Sequence, residues 1–178
     1  AAHQKRILHR DIKPENIFLG QTEERWIPKR VAFGIALAGD VPQSLRTTRV
    51  GALLGTPLYM APEQARGSLD IDERTDLWSV ATVLYELITG GAPFASESLQ
   101  ALFFAIACHP MPALPEGIGD ASLEAILLKG LAKNPGDRWT SAREMGVALA
   151  LWLRDRGVTE DVSAQSVEST WLRAGSNP

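Results

Sequence analysis

Residues 9–16, His-Arg-Asp-Ile-Lys-Pro-Glu-Asn, are the stretch that decides the fold. Pro14 has no N–H to donate, so the pattern predicts a tight loop rather than the inside of a helix or sheet. Asp11 can accept a proton from a hydroxyl, and Lys13 can neutralise a phosphate. Asn16 can bind Mg²⁺ through its carbonyl oxygen, since hard cations prefer oxygen ligands. A charged surface loop is the alternative interpretation of the same eight residues.

The size and charge of the chain limit the classes of protein to consider. It has 178 residues, of which 45% are apolar and 22% are charged. This length favours one domain, and a domain of this size buries roughly 70% of its unfolded surface. The net charge of −3 argues against nucleic acid as a partner. Cys108 is the single cysteine, which excludes an internal disulfide and fits a reducing compartment.

The sequence contains no pattern typical of a membrane span or a signal peptide. The longest apolar-rich stretch, Leu77 to Gly90, is interrupted by Glu86 and is too short to cross a bilayer. The N-terminal residues lack a long apolar run, and the chain begins without Met, as if cut from something longer. We therefore expect a cytoplasmic location, and anchoring of a parent protein in a membrane stays open.

Periodicity and breakers predict a short β-hairpin followed by helices. The strands are expected at Ile17–Leu19 and Arg30–Ala36, with a turn between them and a long irregular segment over 37–62. The helices are expected to run from Asp76 to Thr89, from Ser96 or Ser98 to Cys108, from Ser122 to Lys133, and from Ser141 to Arg156. The first of these is apolar almost all round, which predicts burial.

Five short motifs follow the loop in order, namely Phe33-Gly34, Gly55-Thr56-Pro57, Ala61-Pro62-Glu63, Asp76-Leu77-Trp78-Ser79 and Asp137-Arg138-Trp139. Together they resemble the C-terminal lobe of protein kinases, and are most similar to bacterial serine/threonine kinases of eukaryotic type. The resemblance covers residues 1–156 and leaves 157–178 as a polar tail or linker. It implies a mainly α fold with one or two short β-hairpins at the cleft edge, and with the N-terminal lobe absent.

The resemblance assigns the chemistry to four positions. It implies that Asp11 is the catalytic base and that Lys13 contacts the transferring phosphate. Asn16 would be a Mg²⁺ ligand, and Phe18 would form part of the floor under the adenine. The implied cofactors are therefore ATP and Mg²⁺, and the implied partner is a protein substrate phosphorylated on Ser or Thr.

The resemblance also assigns an activation segment. Arg10 would hold a phosphorylated loop, for which Thr47 and Thr48 are the candidate residues. A solvated loop hydroxyl is the alternative interpretation of either threonine. Thr56 would belong to the peptide-binding segment and touch Asp11.

Four further positions have structural roles in the resemblance. Glu63 would pair with Arg138 in a buried bridge, and Asp76 would anchor the backbone of the catalytic loop. His9 is interpreted as a packed, hydrogen-bonded histidine rather than an acid or base.

Two departures from the family pattern bear on activity. Ala32-Phe33-Gly34 stands where the family has Asp-Phe-Gly, and alanine offers neither a donor oxygen nor a charge for Mg²⁺. Losing such a ligand is expected to cost at least roughly 100-fold. The 178 residues also lack the glycine-rich phosphate loop, the strand lysine and the partner glutamate of the N-terminal lobe.

Three hypotheses remain open from the sequence. The chain is a fragment of an active serine/threonine kinase that is inactive by itself, a pseudokinase that serves as a binding or scaffold module, or a truncated product with no function of its own. The missing N-terminal lobe or flanking domains would be its partners in the first case. The residue that the parent protein has at position 32 separates the first two hypotheses.

Overall fold

The structure, a computed structural model, describes residues 8–21, 26–30 and 57–173. Within these residues the fold is mainly helical. In chain order the elements are strands β1 (Ile17–Gln21) and β2 (Trp26–Arg30), then helices α1 (Pro62–Ala65), α2 (Glu73–Thr89), α3 (Leu99–Cys108), α4 (Ala121–Gly130) and α5 (Ala142–Arg154). Short 3₁₀ turns lie at Pro14–Asn16, Pro57–Tyr59 and Pro135–Asp137, and a π-helical turn lies at Glu168–Leu172.

The two strands form an antiparallel sheet directly after the loop at residues 9–16. Ile17 lies opposite Arg30, and Gln21 lies opposite Trp26. The second strand therefore occupies Trp26–Arg30, where a turn was predicted, and residues 31–36 of the predicted strand lie outside the described residues. Pro28 and the charged residues before it led the prediction away from a strand. A two-stranded sheet tolerates this proline because each strand has an edge whose N–H groups need no partner.

The central helix is α2, which begins three residues before the predicted start. Its N-cap is Asp72, whose Oδ1 accepts a hydrogen bond from the N–H of Arg74 at 2.9 Å. It ends as predicted at Gly90, which has φ +83° and adopts the left-handed conformation that glycine allows without strain. Trp78 is fully buried, whereas Leu87 in the last turn is 72% exposed, so the predicted burial holds for the first part of the helix.

Polar caps fix the ends of the three later helices. Ser98, Asp120 and Ser141 each accept a hydrogen bond from a backbone N–H in the first turn of the helix that follows. The third helix of the prediction ends at Gly130 rather than at Lys133, and the last ends at Arg154 rather than at Arg156. Helices α2, α4 and α5 pack in sequence around one apolar core. Its most buried members are Trp78, Leu102, Ile106, Leu127 and Met145.

The residues after α5 differ from the polar tail or linker expected over 157–178. As far as residue 173, the segment folds back on α5 and buries Val167 to 3% exposure. Composition alone missed this because order here comes from a few tertiary contacts rather than from an apolar stretch. In the part of the chain that the structure describes, no helix has the length and hydropathy needed to cross a bilayer.

Candidate active site

The loop at residues 9–16 is anchored from below by the first turn of α2. The carboxylate of Asp76 accepts the N–H of His9 on Oδ2 and the N–H of Arg10 on Oδ1, both at 2.9 Å. Asp76 is only 1% exposed, and burial of a carboxylate is costly unless hydrogen bonds compensate it. The N-terminal end of a helix also favours a negative charge. The position of Asp76 therefore fixes where this loop sits on the helical core.

The anchored loop contains a strained backbone. Arg10 has φ +62°, a left-handed conformation that residues with a side chain seldom adopt. Such strain persists only where the surroundings impose it, and it concentrates at functional sites. Here the two hydrogen bonds to Asp76 impose it, because successive N–H groups must point at one carboxylate.

Three of the predicted chemical groups lie together on this loop. Lys13 Nζ is 3.1 Å from Asp11 Oδ2, and both side chains are partly exposed. Asn16 Nδ2 donates to the backbone oxygen of Asp11 at 2.8 Å and to Asp11 Oδ2 at 3.1 Å. The Asp11 carboxylate is thus held in place by a cation and an amide. Because Nδ2 of Asn16 faces Asp11, its Oδ1 is directed away from that residue.

A small apolar cluster supports the same loop from the other side. Ile12, the residue after Asp11, is buried against Tyr59 and Val83. The Tyr59 hydroxyl donates to Glu86 Oε2 at 2.7 Å, and Ser79 Oγ donates to the Tyr59 backbone oxygen at 2.8 Å. Burial, followed by the hydrogen bond to the Glu86 carboxylate, raises the pKa of the Tyr59 phenol. Tyr59 therefore remains a neutral hydrogen-bond donor that ties the 57–59 turn to α2.

Tyr59, Ser79 and Glu86 were not among the residues chosen from the sequence. The Gly-Thr-Pro-Leu-Tyr order at 55–59 is the signal that could have pointed to Tyr59. Nothing in the sequence separates Glu86 from other acidic residues in helices. Its contact with Tyr59 depends on how the 57–59 turn packs on α2.

The pair predicted between Glu63 and Arg138 is present in the structure. Arg138 Nη1 donates to Glu63 Oε1 at 2.8 Å, and Arg138 Nη2 donates to Glu63 Oε2 at 2.7 Å. The Thr75 hydroxyl adds a third hydrogen bond to Glu63 at 2.7 Å. Burial alone would raise the pKa of Glu63, but these hydrogen bonds and the guanidinium charge outweigh it and lower the pKa. Glu63 therefore stays ionised beside Arg138, below the loop.

The remaining predicted site residues are only partly covered. Phe18 lies in β1, and nothing further is described of its side chain. Ala32, Thr47, Thr48 and Thr56 lie outside the described residues, so the roles expected for them stay predictions. His9 is half-buried, and its backbone N–H is the group that contacts Asp76.

Comparison with known protein families shows that the protein kinase domain matches residues 1–147. The chain belongs to the protein kinase family. The match includes the anchored loop, its carboxylate anchor Asp76 and the Glu63–Arg138 pair. The mainly helical structure agrees with the helical part of a kinase domain.

The similar proteins are bacterial serine/threonine kinases. The chain is 41% identical over 147 residues to serine/threonine-protein kinase PknB of Mycobacterium leprae, covering 81% of the chain and 22% of that protein. It is 40% identical over 161 residues to serine/threonine-protein kinase Pkn1 of Myxococcus xanthus, covering 87% of the chain and again 22% of the relative. The kinase chain thus spans about a fifth of the length of these curated relatives.

The donor atoms for a metal ion are few at this kinase site. In the described ranges, no group of three or more His, Cys, Asp and Glu side chains is placed to hold a metal. Asn16 Oδ1 offers one neutral oxygen, and the side chain of Ala32 offers none. These residues therefore do not fit a Mg²⁺ site of the family kind, in which an aspartate stands at the position of Ala32.

Proposed function

We propose that this chain is the C-terminal lobe of a serine/threonine protein kinase domain. In the whole protein, that domain would transfer the γ-phosphate of ATP to serine or threonine hydroxyls of proteins. The observation that carries the proposal is the arrangement of Asp11, Lys13 and Asn16 on a loop that Asp76 anchors to the helical core. The bacterial serine/threonine kinases similar to the chain support the same substrate class.

The described residues would act on the hydroxyl side of the reaction. Asp11 would accept the hydrogen bond of the substrate hydroxyl and orient its oxygen, since a carboxylate has only acceptors to offer. Lys13 lies 3.1 Å from Asp11, so its cation would also lie close to a phosphoryl group arriving at that hydroxyl. Phosphoryl transfer depends mainly on such positioning and charge stabilisation.

The 178 residues hold far fewer groups for binding ATP and Mg²⁺ than for orienting the substrate hydroxyl. Ala32 removes the carboxylate that the family uses for Mg²⁺, and the printed sequence holds none of the N-terminal lobe motifs that contact ATP. We therefore propose that the chain alone transfers no phosphate. Activity would need an N-terminal lobe together with a carboxylate at position 32.

A regulatory role for Arg10 belongs to the same proposal. Arg10 is exposed, and its backbone is fixed by Asp76. A guanidinium so placed can form two parallel hydrogen bonds with a phosphate, as would be present on Thr47 or Thr48 after phosphorylation. Replacing Arg10 by Lys would keep the charge and lose this geometry.

Four proteins test the proposed activity by transfer of radiolabel from ATP to a generic protein substrate with Mg²⁺. They are the chain, the chain with Ala32→Asp, the Ala32→Asp chain joined to the N-terminal lobe of a related kinase, and this last protein with Asp11→Asn. We expect transfer by the third protein alone. Transfer by the unaltered chain that is lost when Asp11→Asn is made in that same chain, as a fifth protein, would overturn the proposed inactivity.

A pseudokinase is the second candidate, and Ala32 is the observation that favours it. A pseudokinase would bind partner proteins through this lobe without transferring phosphate. Absence of transfer by the joined protein with Ala32→Asp would favour this candidate, provided that its folding is shown by a cooperative thermal transition. The proteins of the first experiment therefore separate the two candidates.

A further inference from the structure

The segment at 157–173, called the strap below, lies beyond the residues that match the protein kinase domain. It has its own hydrogen bonds. The N–H of Asp161 donates to the backbone oxygen of Gln165, and the N–H of Val167 donates to that of Thr159, each at 2.9 Å. Asp161 Oδ1 also accepts the N–H of Ser163 at 2.7 Å. The strap is therefore a folded loop with hydrogen bonds of its own.

An indole placed over a glycine is the first attachment of the strap to α5. A β-carbon built on Gly146 would overlap the six-membered ring of Trp171, so only glycine permits this approach. Gly146 lies inside α5, where glycine is less favourable than alanine. The close packing of Trp171 is the feature of the structure that accounts for a glycine at this position.

One arginine of α5 makes the second attachment. Arg143 Nη2 donates to the backbone oxygen of Trp171 at 3.2 Å and lies 3.5 Å from that of Arg173. Both acceptors belong to the backbone, so the contact depends on the path of the strap and little on its side chains. Arg143 and Gly146 are one turn apart on α5 and hold the same end of the strap.

The strap covers an apolar space rather than a tightly packed one. A cavity of about 360 Å³ lies between it, α2 and α5. The residues that line it include Leu77, Val80, Met145, Leu149, Val167 and Trp171. Because this space is open to solvent on one side, the strap makes fewer dispersion contacts with α2 and α5 than core residues make with one another. Val167 is nevertheless 3% exposed, which ties the middle of the strap to this space.

We propose that the strap is a latch that opens and closes as a unit over α2 and α5 while the helical core stays folded. Its closed state is held by Trp171 on Gly146 and by Arg143 on the strap backbone. Opening would expose the apolar wall formed by α2 and α5 next to Leu77, the neighbour of Asp76 in sequence. The latch would thus expose or cover one wall of α2, the helix that anchors the catalytic loop. The proposed latch does not depend on which activity that loop supports.

Hydrogen exchange of the full 178-residue chain, read by mass spectrometry, tests the latch. In Gly146→Ala we expect exchange over 158–173 at least ten times faster than in the unaltered chain, with α2 and α4 unchanged. Alanine strengthens a helix interior, so this result cannot come from a weakened α5. Gly91→Ala is the matched control, because no atom lies within 4 Å of a β-carbon built there. We expect it to leave the exchange of the strap unchanged.

Two more variants test whether Trp171 and Arg143 are the residues that hold the strap closed. Trp171→Ala should open the strap to the same degree, and Gly146→Ala should then add nothing further, because the clash has lost its partner. Arg143→Met should speed exchange of the strap through the second attachment alone. Unchanged exchange of the strap in Gly146→Ala would overturn the latch. Equal acceleration across 158–173, α2 and α4 would also overturn it, since the strap would then open only with the whole fold.

Discussion

Arg138 Nη2 lies 2.7 Å from Glu63 Oε2, although the two residues are 75 positions apart in sequence. Arg138 also donates to three backbone oxygens, those of Ala132, Arg74 and Lys133. All five of its N–H groups are therefore used while the residue is 1% exposed. This ion pair joins α1 to the turn before α5 and closes the helical core beneath the loop at residues 9–16.

Removing one partner of this pair should be strongly destabilising. Arg138→Ala leaves the buried Glu63 carboxylate without its cation, which typically costs about 3–5 kcal/mol. Urea denaturation followed by circular dichroism would measure the loss of unfolding free energy. Arg154→Ala is the matched control, because Arg154 is exposed and, among the residues that the structure describes, its side chain pairs with the neighbouring Asp155. We expect it to change stability by less than about 0.5 kcal/mol.

Arg143→Ala would not serve as this control, because the Arg143 side chain donates to the backbone of the strap. A loss of less than about 1 kcal/mol in Arg138→Ala would contradict the role given to the pair. It would mean that the carboxylate of Glu63 is solvated in solution.

Asp76→Ala should release the loop at residues 9–16 from the core. It removes two hydrogen bonds between backbone N–H groups and a buried carboxylate, each worth about 1.5–3 kcal/mol. In this variant, amide exchange measured by NMR should accelerate more at His9 and Arg10 than at the other protected amides. Asp70→Asn, a change at an exposed residue outside the helices, should leave both amides unchanged. Continued protection of both amides in Asp76→Ala would show that other contacts fix the loop.

The sequence motifs indicate the contacts that hold the loop at residues 9–16 and close the helical core beneath it. The resemblance placed Asp76 under the loop and Glu63 beside Arg138, and the structure has both contacts. Caps and glycines predicted the boundary at Gly90 and a cap of α3 at Ser96 or Ser98, of which Ser98 is the N-cap. These features follow from a few neighbouring residues or from a family pattern.

The strand at Trp26–Arg30, the burial of Val167 and the contact between Tyr59 and Glu86 were missed. The last two features depend on packing between segments far apart in the chain, and the strand depends on its pairing with β1. A polar composition or a proline gives no sign of such packing. One attachment of the strap in particular joins a glycine and an indole that are 25 positions apart.

Glu144 should make the fold sensitive to acid. The Thr140 hydroxyl and N–H, and the ammonium of Lys129, lower the pKa of Glu144 to about 2 from its ordinary value of 4.5. Between these values the unfolded chain binds the proton and the folded chain does not. The stability that Glu144 contributes is therefore complete above pH 4.5 and is lost as the pH falls towards 2.

Comparison of unfolding free energies at pH 5 and pH 2.5 checks this expectation. The difference between the unaltered chain and Glu144→Gln should shrink on acidification, because the carboxylate loses its advantage over an amide. Glu97→Gln, at an exposed position, should show no such convergence. A difference that stays constant down to pH 2.5 would contradict the lowered pKa.

Lys133 should make stability rise with pH on the alkaline side. Its ammonium donates to the backbone oxygen of Ile106 at 2.6 Å and lies 3.9 Å from the centre of the Phe94 ring. Burial lowers the pKa of Lys133 to about 8 from 10.5 and outweighs the opposing effect of nearby Cys108. The charges of Arg138 and Arg66 contribute to this lowering of the pKa. The unfolded chain therefore binds more protons than the folded chain between these values, so the free energy of unfolding increases with pH there.

Two variants of Lys133 isolate this contribution between pH 7.5 and 9.5. Lys133→Met carries no charge, and Lys133→Arg keeps its charge throughout this range. Urea denaturation at each pH should therefore show a contribution of position 133 to the free energy of unfolding that increases with pH in the unaltered chain alone. The unfolding free energy of the unaltered chain should rise relative to both variants as the proton leaves the buried ammonium. Parallel pH profiles for all three proteins would show that Lys133 remains charged in the folded state, despite its position between Phe94 and the end of α3.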